Sequence, residues 1–304
     1  MVTVAELGRG EVAARLAGAG VVLETGAIRC GIRSRLRSVA AGIEQLYRHH
    51  RVREPEQGSD VTCELRPAGG VRRLYRRQVN FYADGRRIFK PLPRRQAFPM
   101  LEWGLNWCVG MQLRHALLFH AACLERGGRA LIMPAPPESG KSTLAAALAC
   151  RGWRLISDEV TILDLADPEA RVQGMARPVS LKNASIEVIR SFAPEAFISR
   201  PCHDTWKGAV AHMRPPRDSV LRAGEPTPPA WVVFPRDRPQ GPLTWGERSV
   251  PATLKALIGH SFNYPALGRR AFHRTADVVE RARGYDLGYS CLGEAVEHLE
   301  ALAD

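Results

Sequence analysis

The residues Gly140, Lys141, Ser142 and Thr143 are the part of the sequence whose types and spacing can do recognisable chemistry. In a loop of the form G-x-x-x-x-G-K-[ST], backbone N–H groups surround phosphate, the lysine reaches the β- and γ-phosphates and the hydroxyl binds Mg²⁺. On that spacing, the phosphate-binding N–H groups belong to Glu138, Ser139, Gly140, Lys141, Ser142 and Thr143. We therefore expect a nucleotide site in which Lys141 holds phosphate and Ser142 binds Mg²⁺.

The beginning of this loop departs from the usual pattern, because Ala135 stands where the first glycine is common. Pro136 and Pro137 lack N–H groups, but they precede the donors that phosphate needs. Ala135 is tolerated if its φ is negative, and the carboxylate of Glu138 repels a polyphosphate unless it points outward. The sequence leaves three interpretations open: a working phosphate loop, a scaffold that binds nucleotide without transfer, and an ordinary strand-to-helix turn.

Two acids, Asp158 and Glu159, follow a short apolar strand that returns from the helix after the loop. A carboxylate there can accept a proton from an attacking hydroxyl or bind Mg²⁺, directly or through water. The residue types do not separate base from ligand, and a turn acid that ends a strand is the structural alternative. His120 lies within a predicted strand, where a lone histidine is more often a core or surface residue.

The elements before this region predict an α+β N-terminal domain over residues 1–95. Apolar residues recur with helical spacing in residues 3–18 and 34–49. In three further segments they alternate with polar residues, as in a strand. Those segments are "GVVLETGAIRCGI", "DVTCELRP" and "QVNFYADGRRIF", the last with an Asp84-Gly85 turn that favours a hairpin. Three prolines within residues 90–99 mark the edge of the domain.

The elements that follow must position the loop and the acids within a core over residues 96–250. A predicted helix, "MLEWGLNWCVGMQLRH", leads into strand 116–125, and the turn at Arg126–Arg129 joins it to strand 130–135. So short a turn joins antiparallel neighbours, which places the loop after a hairpin. A helix from Ser142 to Arg151 and strand pieces around Asp158 come next, with further strands near 231–247. Residues 251–304 read as a mainly helical C-terminal segment packed on the core.

The apolar segments, the N-terminus and the cysteines of the sequence indicate the cellular compartment. No run of about 18 apolar residues is present, and the N-terminus lacks the layout of an export signal, so we expect a cytoplasmic protein without a membrane partner. The seven cysteines never form a C-x-x-C pair, which predicts neither a disulfide framework nor a zinc site.

Positive charge is concentrated in one stretch of the chain. The 43 Lys+Arg against 31 Asp+Glu give a net charge of +12, and residues 71–96 alone hold nine basic side chains and one acid. Nucleic acid, an anionic peptide or a phosphate-bearing ligand could use such a field. No nucleic-acid-binding motif accompanies it, so a nucleic-acid partner is not expected. A solvated hairpin face and a dock for a leader peptide or carrier protein both remain open.

Several segments resemble the HPr kinase/phosphorylase family. "PESGKSTLAAALACRGWRLISDEV" resembles that family's phosphate loop, helix and acid pair, and "FHAACLERGGRALIMPA" is similar to its preceding strand and hairpin. "LEWGLNWCV" and "RPVSLKNASIEVI" look closer still to a divergent branch of HprK-related kinases associated with peptide-modification gene clusters. The resemblance covers about residues 98–235.

That resemblance implies an α/β fold whose P-loop core, with a mixed sheet, is similar to phosphoenolpyruvate carboxykinase. It implies ATP- and Mg²⁺-dependent transfer of phosphate to a hydroxyl, with Asp158 as the catalytic acid and Glu159 near the metal. His120 matches the histidine beside the active site. Relatives form oligomers, which makes a homo-oligomer one option for this chain.

The segment after the acids differs from the family pattern, so the resemblance does not carry over the acceptor. Arg177, Lys182, Asn183 and Lys207 in and after that segment could clamp the transferred phosphate or the substrate, or they could be loop residues in water. We expect the acceptor to be a serine or similar hydroxyl of a peptide or small protein. A small-molecule kinase on the same core is the alternative.

Overall fold

The computed structural model describes residues 2–73 and 75–304. Met1, Leu74 in the basic stretch, and the side chain of Arg73 lie outside the described part. The chain has a mixed α/β architecture with three sheets among the described residues. None of the described helices is both long and apolar enough to cross a membrane.

The first sheet is formed by the N-terminal third of the chain. Its strands are β1 (Val2–Thr3), β2 (Val21–Glu24), β3 (Arg29–Ser34), β4 (Arg51–Arg53), β5 (Val61–Pro67), β6 (Gln78–Ala83), β7 (Arg86–Arg87) and β8 (Leu92–Pro93). They lie in the order β1-β4-β2-β3-β5-β6-β7, with β8 paired to β6. The predicted hairpin is confirmed: Tyr82 pairs with Arg87, and Asp84 and Gly85 have φ of 47° and 76°, as a tight hairpin turn requires.

Three helices accompany this sheet: α1 (Val4–Ala17), α2 (Arg37–Leu46) and α3 (Ala97–Gln112). The short 3₁₀ turns are Pro55–Gln57, Gly70–Arg73 and Arg94–Gln96. Helix α3 packs its apolar face on the sheet, where Leu101 and Leu105 share a core with Leu65 and Phe81. A side chain at Gly104 would collide with the Phe81 ring, so glycine allows this close approach. The first helix of the predicted core therefore packs with the N-terminal domain, and the boundary at residue 95 stays a prediction.

The second sheet carries the loop and the acids. Its first strands are β9 (Ala116–Arg126), β10 (Arg129–Pro134), β11 (Arg154–Ser157), β12 (Val160–Asp164) and β13 (Val172–Gln173). Helix α4 (Lys141–Cys150) lies between β10 and β11 in sequence. Strand β10 pairs antiparallel with β9, which confirms that the loop follows a hairpin.

A small third sheet covers the acids. It contains β14 (Val179–Lys182), β15 (Cys202–Thr205) and β16 (Gly208–Met213), with β16 in the middle. Helices α5 (Ala184–Phe192) and α6 (Arg217–Leu221) accompany it along the chain.

The last part of the chain completes the second sheet, in the order β13-β12-β9-β10-β17-β19-β18 with β11 also on β9. The elements are β17 (Pro229–Asp237), β18 (Thr244–Arg248), α7 (Val250–Gly259), α8 (Tyr264–Leu267), α9 (Arg269–Arg281), β19 (Arg283–Tyr289) and α10 (Leu292–Ala303). Strand β17 runs parallel to β10 and β19, whereas β18 is antiparallel to β19, so the sheet is mixed as expected.

The prediction of a helical tail over residues 251–304 is wrong in one respect. Strand β19 lies within that segment and pairs with β17 on one edge and β18 on the other. Gly284 and Gly288 weaken its local strand signal, yet each lies where a side chain would collide with a threonine, Thr253 or Thr244. Pairing with distant strands, and not local preference, makes this segment extended.

Burial of His50 makes the stability of the fold depend on pH. Its Nε2 lies 2.9 Å from the carbonyl oxygen of Ala176, and burial lowers the pKa of the imidazole to about 4. Since an unfolded histidine has a pKa of about 6.5, the unfolded chain binds the extra proton between these values, and stability falls as pH falls through that window.

We predict that H50Q reduces the slope of unfolding free energy against pH between pH 4 and 6.5 by up to about 1.4 kcal/mol per pH unit. Urea unfolding of both proteins across that range measures the slope. The control is H203Q, because His203 is exposed. An unchanged slope in H50Q would show that His50 takes up its proton without opening the fold.

Candidate functional site

Strand β9 brings the loop and the acids together because it is paired on both edges. On one side, Pro134 at the end of β10 lies opposite Ala121. On the other, Ser157 lies opposite Cys123 and Val160 opposite His120, so Asp158 and Glu159 occupy the break between β11 and β12. Neighbouring strands are about 4.8 Å apart, which puts the start of the loop and the acid pair about 10 Å from each other.

The loop has a conformation that suits phosphate binding. Ala135 is buried and its φ is not positive, so the missing glycine carries no backbone strain. Glu138 is exposed, so its carboxylate is not buried within the loop, and its φ is 66°. A left-handed residue other than glycine costs about 1–2 kcal/mol and is found most often where a ligand is held.

Gly140 is fixed by two strands at the opposite side of the loop. The Tyr289 hydroxyl donates to the Gly140 carbonyl at 3.3 Å, and the Asp237 N–H donates to the Ser139 carbonyl at 3.0 Å. Gly140 has a φ of 83°, and a side chain there would collide with the Tyr289 hydroxyl and lie 2.8 Å from the Asp237 Cβ. The ends of β17 and β19 thus set the loop, and sequence reasoning missed both contacts.

The side chains that face the interior of the loop have polar atoms without a protein partner. Lys141 Nζ, Ser139 Oγ and Asp158 Oδ1 are all buried and unpaired. Burial lowers the pKa of Lys141, while Asp158 and Glu159 oppose that shift. An unsatisfied buried polar atom costs about 1–3 kcal/mol, so these atoms fit a phosphate-bearing ligand with a divalent cation. Ser142 and Thr143, in the first turn of α4, are half-buried.

The two acids have different affinities for protons. Burial and the charge of Glu159 raise the pKa of Asp158, although Lys141, the Ser180 N–H and the Ser142 hydroxyl act in the other direction. Burial also acts to raise the pKa of Glu159, but a group of cations outweighs it and the pKa is lowered. Those cations are Lys182, Lys207, Lys141 and Arg177. Such a divergence suits one carboxylate to accept a proton and the other to remain ionised.

Asp158 and Glu159 are also held by different partners. The Asp158 Oδ2 accepts a hydrogen bond of 3.0 Å from the Ser180 N–H of the third sheet. Glu159 accepts one from the Asn106 amide, and Asn106 in turn accepts one from Arg177. The third sheet and helix α3 therefore fix one acid each.

Arg177 is an internal residue. Its Nη1 lies 3.5 Å from Glu102 Oε2, with side chains 9% and 6% exposed, and the Tyr47 hydroxyl donates to Glu102 at 2.7 Å. This burial does not favour the predicted clamp on phosphate. The contacts instead make Arg177 a positioning residue for Glu159 through Asn106. Polar residues within the apolar helix α3 are the sequence signal that could have revealed the network.

The other predicted clamp residues lie at the mouth of the site. Lys182 Nζ is 4.0 Å from Glu159 Oε1. Lys207 Nζ lies above two indole rings, 4.5 Å from the Trp206 centroid and 5.6 Å from the Trp103 centroid. Asn183 does not face the acids: its side chain binds the Lys207 carbonyl and the Ala209 N–H, which ties down the hairpin that carries Lys207.

His120 lies at the edge of the site. Burial and the charge of Lys141 lower its pKa to about 4, with Glu159 opposing, so the ring is neutral near pH 7. Its ring centroid is 5.4 Å from that of Phe262, and the backbone N–H of His120 donates to the His260 carbonyl at 2.6 Å. Sequence reasoning missed His260, whose pKa is lowered by burial and then by Lys141.

Two cavities adjoin the loop and the acids. A cavity of about 700 Å³ is lined by Pro134–Ser139, by Phe234–Arg238 and by Arg248 and His260. Small-molecule sites have volumes of about 300–1,000 Å³, so a nucleoside has room there. A second cavity, of about 20 Å³, is lined in part by Trp103, Asp158 and Glu159. It is large enough for about one water molecule.

No protein-family model matches the chain, and no curated protein matches it by sequence. Among solved structures, the Hpr(Ser) kinase/phosphatase from Coxiella burnetii is similar to part of the chain, with 13% sequence identity and a TM-score of 0.29. The similarity covers 61% of this chain and 96% of that chain. Likeness at this level carries no functional argument, so the interpretation of the site depends on its own geometry.

We predict that G140A and G152A differ in nucleotide binding. Both glycines have positive φ, 83° and 91°, so alanine at either should destabilise the fold by about 1–2 kcal/mol. Only at Gly140 would the methyl group collide with Tyr289 and distort the loop, since a side chain at Gly152 meets nothing within 4 Å.

Thermal unfolding with and without ATP and Mg²⁺ makes the comparison. The rise in melting temperature on adding nucleotide should persist in G152A and disappear in G140A. A normal rise in G140A would mean that phosphate is not held at this loop.

Proposed function

We propose that the chain is an ATP- and Mg²⁺-dependent kinase that transfers the γ-phosphate to a serine or similar hydroxyl of a peptide or protein. The observation that carries this proposal is the unpaired, buried Lys141 ammonium facing two carboxylates of unequal proton affinity. A cation at the start of a helix supports phosphate binding, and a carboxylate of raised pKa supports proton abstraction.

The roles of the loop follow from its position. The N–H groups of residues 138–143 and the Lys141 ammonium hold the phosphates, aided by the positive end of α4. Ser142 and Glu159 hold Mg²⁺. Asp158 is either a third ligand of the ion or lies next to it. Bound Mg²⁺ supplies charge neutralisation at the phosphate oxygens.

The transfer itself uses the difference between the acids. The acceptor hydroxyl loses its proton to the Asp158 carboxylate, its oxygen forms the new bond to the γ-phosphorus, and the bond to the β-phosphate oxygen breaks. Lys182 and Lys207 lie where they can stabilise the charge on the transferred phosphate. Asn106 and Arg177 keep Glu159 in place.

The alternative is a scaffold that binds nucleotide without transfer. It depends on Glu138 repelling the polyphosphate, and the exposure of the Glu138 side chain supports the kinase proposal instead. Thermal stabilisation by ATP with Mg²⁺, followed by transfer of labelled γ-phosphate to a panel of hydroxyl acceptors, tests the proposal. Nucleotide binding without transfer to peptide, protein or small-molecule acceptors would restore the scaffold; transfer only to small molecules would replace the peptide acceptor.

The basic stretch in residues 71–96 is the proposed dock for a leader peptide or carrier. Six arginines among its described residues are exposed; Arg95 pairs with Asp204, and the other five can attract an acidic partner. They are Arg72, Arg76, Arg77, Arg86 and Arg87.

We predict that D158N lowers kcat by a factor of about 10²–10⁴ because the amide cannot accept the hydroxyl proton. The amide oxygen can still accept the Ser180 N–H, so the fold and the ATP-dependent rise in melting temperature should remain. Single-turnover transfer from labelled ATP measures the effect. The control is E169Q, which alters an exposed acid of the loop after β12. A D158N protein with full activity would exclude Asp158 as the base.

We also predict a pH effect of the neighbouring acid. Since Asp158 must be ionised to act as base and its pKa is raised, kcat/KM should decline on the acid side at a pH above the ordinary aspartate value of 3.8. E159Q removes a charge that raises the pKa of Asp158, so the acid limb should move to lower pH. The profiles are measured at saturating Mg²⁺, because E159Q also removes a metal ligand. A limb that stays in place or moves upward would contradict the assignment.

A further inference from the structure

A large aromatic side chain is exposed beside the acids. Trp206 lies at the tip of the β15–β16 hairpin and is 74% exposed. Its ring centroid is 5.8 Å from that of Trp103 in an edge-on arrangement, and most of the Trp206 side chain remains open to solvent. Tryptophan is usually well buried, and an exposed one next to a reaction centre is typical of a binding surface.

The hairpin tip is held rigidly. The Thr205 hydroxyl donates to the Gly208 carbonyl at 2.7 Å and accepts the Lys207 N–H at 3.1 Å. Asn183 binds both sides of the turn, and Gly208, with a φ of 78°, leaves room for the Asn183 side chain. Trp206 is therefore displayed at a fixed position before any ligand arrives, which lowers the entropic cost of binding.

The tip is connected to the acids by charge and by contact. The charge of Lys207, which lies over both indoles, helps to lower the pKa of Glu159. Trp103 lines the 20 Å³ cavity together with Asp158 and Glu159. The proposed nucleotide would bind elsewhere, because the loop and the 700 Å³ cavity lie on the side of β10 and β17. The surface around Trp206 therefore remains for the acceptor.

We infer that Trp206, Trp103 and Lys207 form an acceptor subsite for an acidic peptide with an aromatic or large apolar side chain close to the phosphorylated hydroxyl. This inference rests on the proposed function. The exposed Trp206 indole can stack with such a side chain.

The charges at the mouth favour an acidic acceptor. Lys182 and Lys207 both face it, whereas the nearby Asp204 is paired with Arg95 at 2.9 Å. A cationic peptide would be repelled by the two lysines, and an acidic one would be attracted by them and by the net charge of +12.

Two synthetic acidic peptides, each with one serine, test the subsite. One has phenylalanine next to the serine, and the other has alanine there. With the wild-type protein, KM should be about five- to tenfold lower for the phenylalanine peptide, as expected for an aromatic pair. W206A should abolish that difference by raising KM for the phenylalanine peptide alone, with kcat and the KM for ATP little changed.

Two further variants separate the causes. W206F keeps an aromatic face beneath the Lys207 ammonium and should retain most of the preference, which distinguishes stacking from displacement of Lys207. F272A removes an aromatic side chain that is 43% exposed on α9 and should leave the preference intact. A lysine-flanked version of the phenylalanine peptide should have a higher KM.

The outcomes distinguish this inference from the proposed function. If both peptides are phosphorylated and W206A retains the preference, the subsite is excluded and the kinase stands. If neither peptide is phosphorylated, titration calorimetry decides the subsite: binding of the phenylalanine peptide to the wild-type protein but not to W206A supports it while the kinase proposal fails, and equal or absent binding excludes it.

Discussion

The position of the acids depends on a buried ion pair between Arg154 and Glu125. These residues face each other across β11 and β9, with Nε and Oε2 2.5 Å apart and side chains only 3% and 5% exposed. Arg154 also donates to the Arg222 carbonyl and the Thr227 hydroxyl, so its donors are satisfied. Breaking such a pair leaves a charge buried without compensation, and a slip of one residue would turn every side chain of β11 to the other face. The pair therefore holds the register that delivers Asp158 and Glu159 to the loop.

The charges of the site are unbalanced in a way that the proposed nucleotide would correct. Lys141, Lys182 and Lys207 face two carboxylates, and the raised pKa of Asp158 makes the negative side weaker still. Arg177 also helps to lower the pKa of Glu159, although the carboxylate paired with it is that of Glu102. A cluster with excess positive charge repels itself, and a polyphosphate with one divalent cation reduces that repulsion. The same excess lowers the pKa of Glu159, which suits the proposed role of this carboxylate as a metal ligand.

Features of the site that depend on neighbouring residues could be predicted from the sequence. Contacts between residues far apart in the chain could not. The turn at Gly127-Gly128, the Gly140–Thr143 run and the break at Asp158 each depend on neighbouring residues, and the structure places them as the patterns predict. Tyr289 and Asn106 come from segments about 150 and 50 residues away from their partners in the site. Their contacts arise from sheet order and helix packing, which no short pattern contains.

Arg177 shows that the charge of a residue does not predict its role when its burial is unknown. A cation after the acids suggests a phosphate ligand, yet its guanidinium is used inside the protein. The same limit applied to β19. Two glycines weaken its local strand signal, and the segment is extended because it pairs with its two neighbouring strands. In both, the tertiary partner and not the residue type decided the outcome.

Helix α3 connects the first sheet with the site. One of its faces, with Leu101 and Leu105, packs on the first sheet, and the other supplies Glu102, Trp103 and Asn106 to the acids and the small cavity. A rigid helix with both faces buried cannot move on one side without disturbing the other. Tyr47 adds a second link, since it leaves the end of α2 to bind Glu102. The first sheet and the acids therefore share one structural element, helix α3.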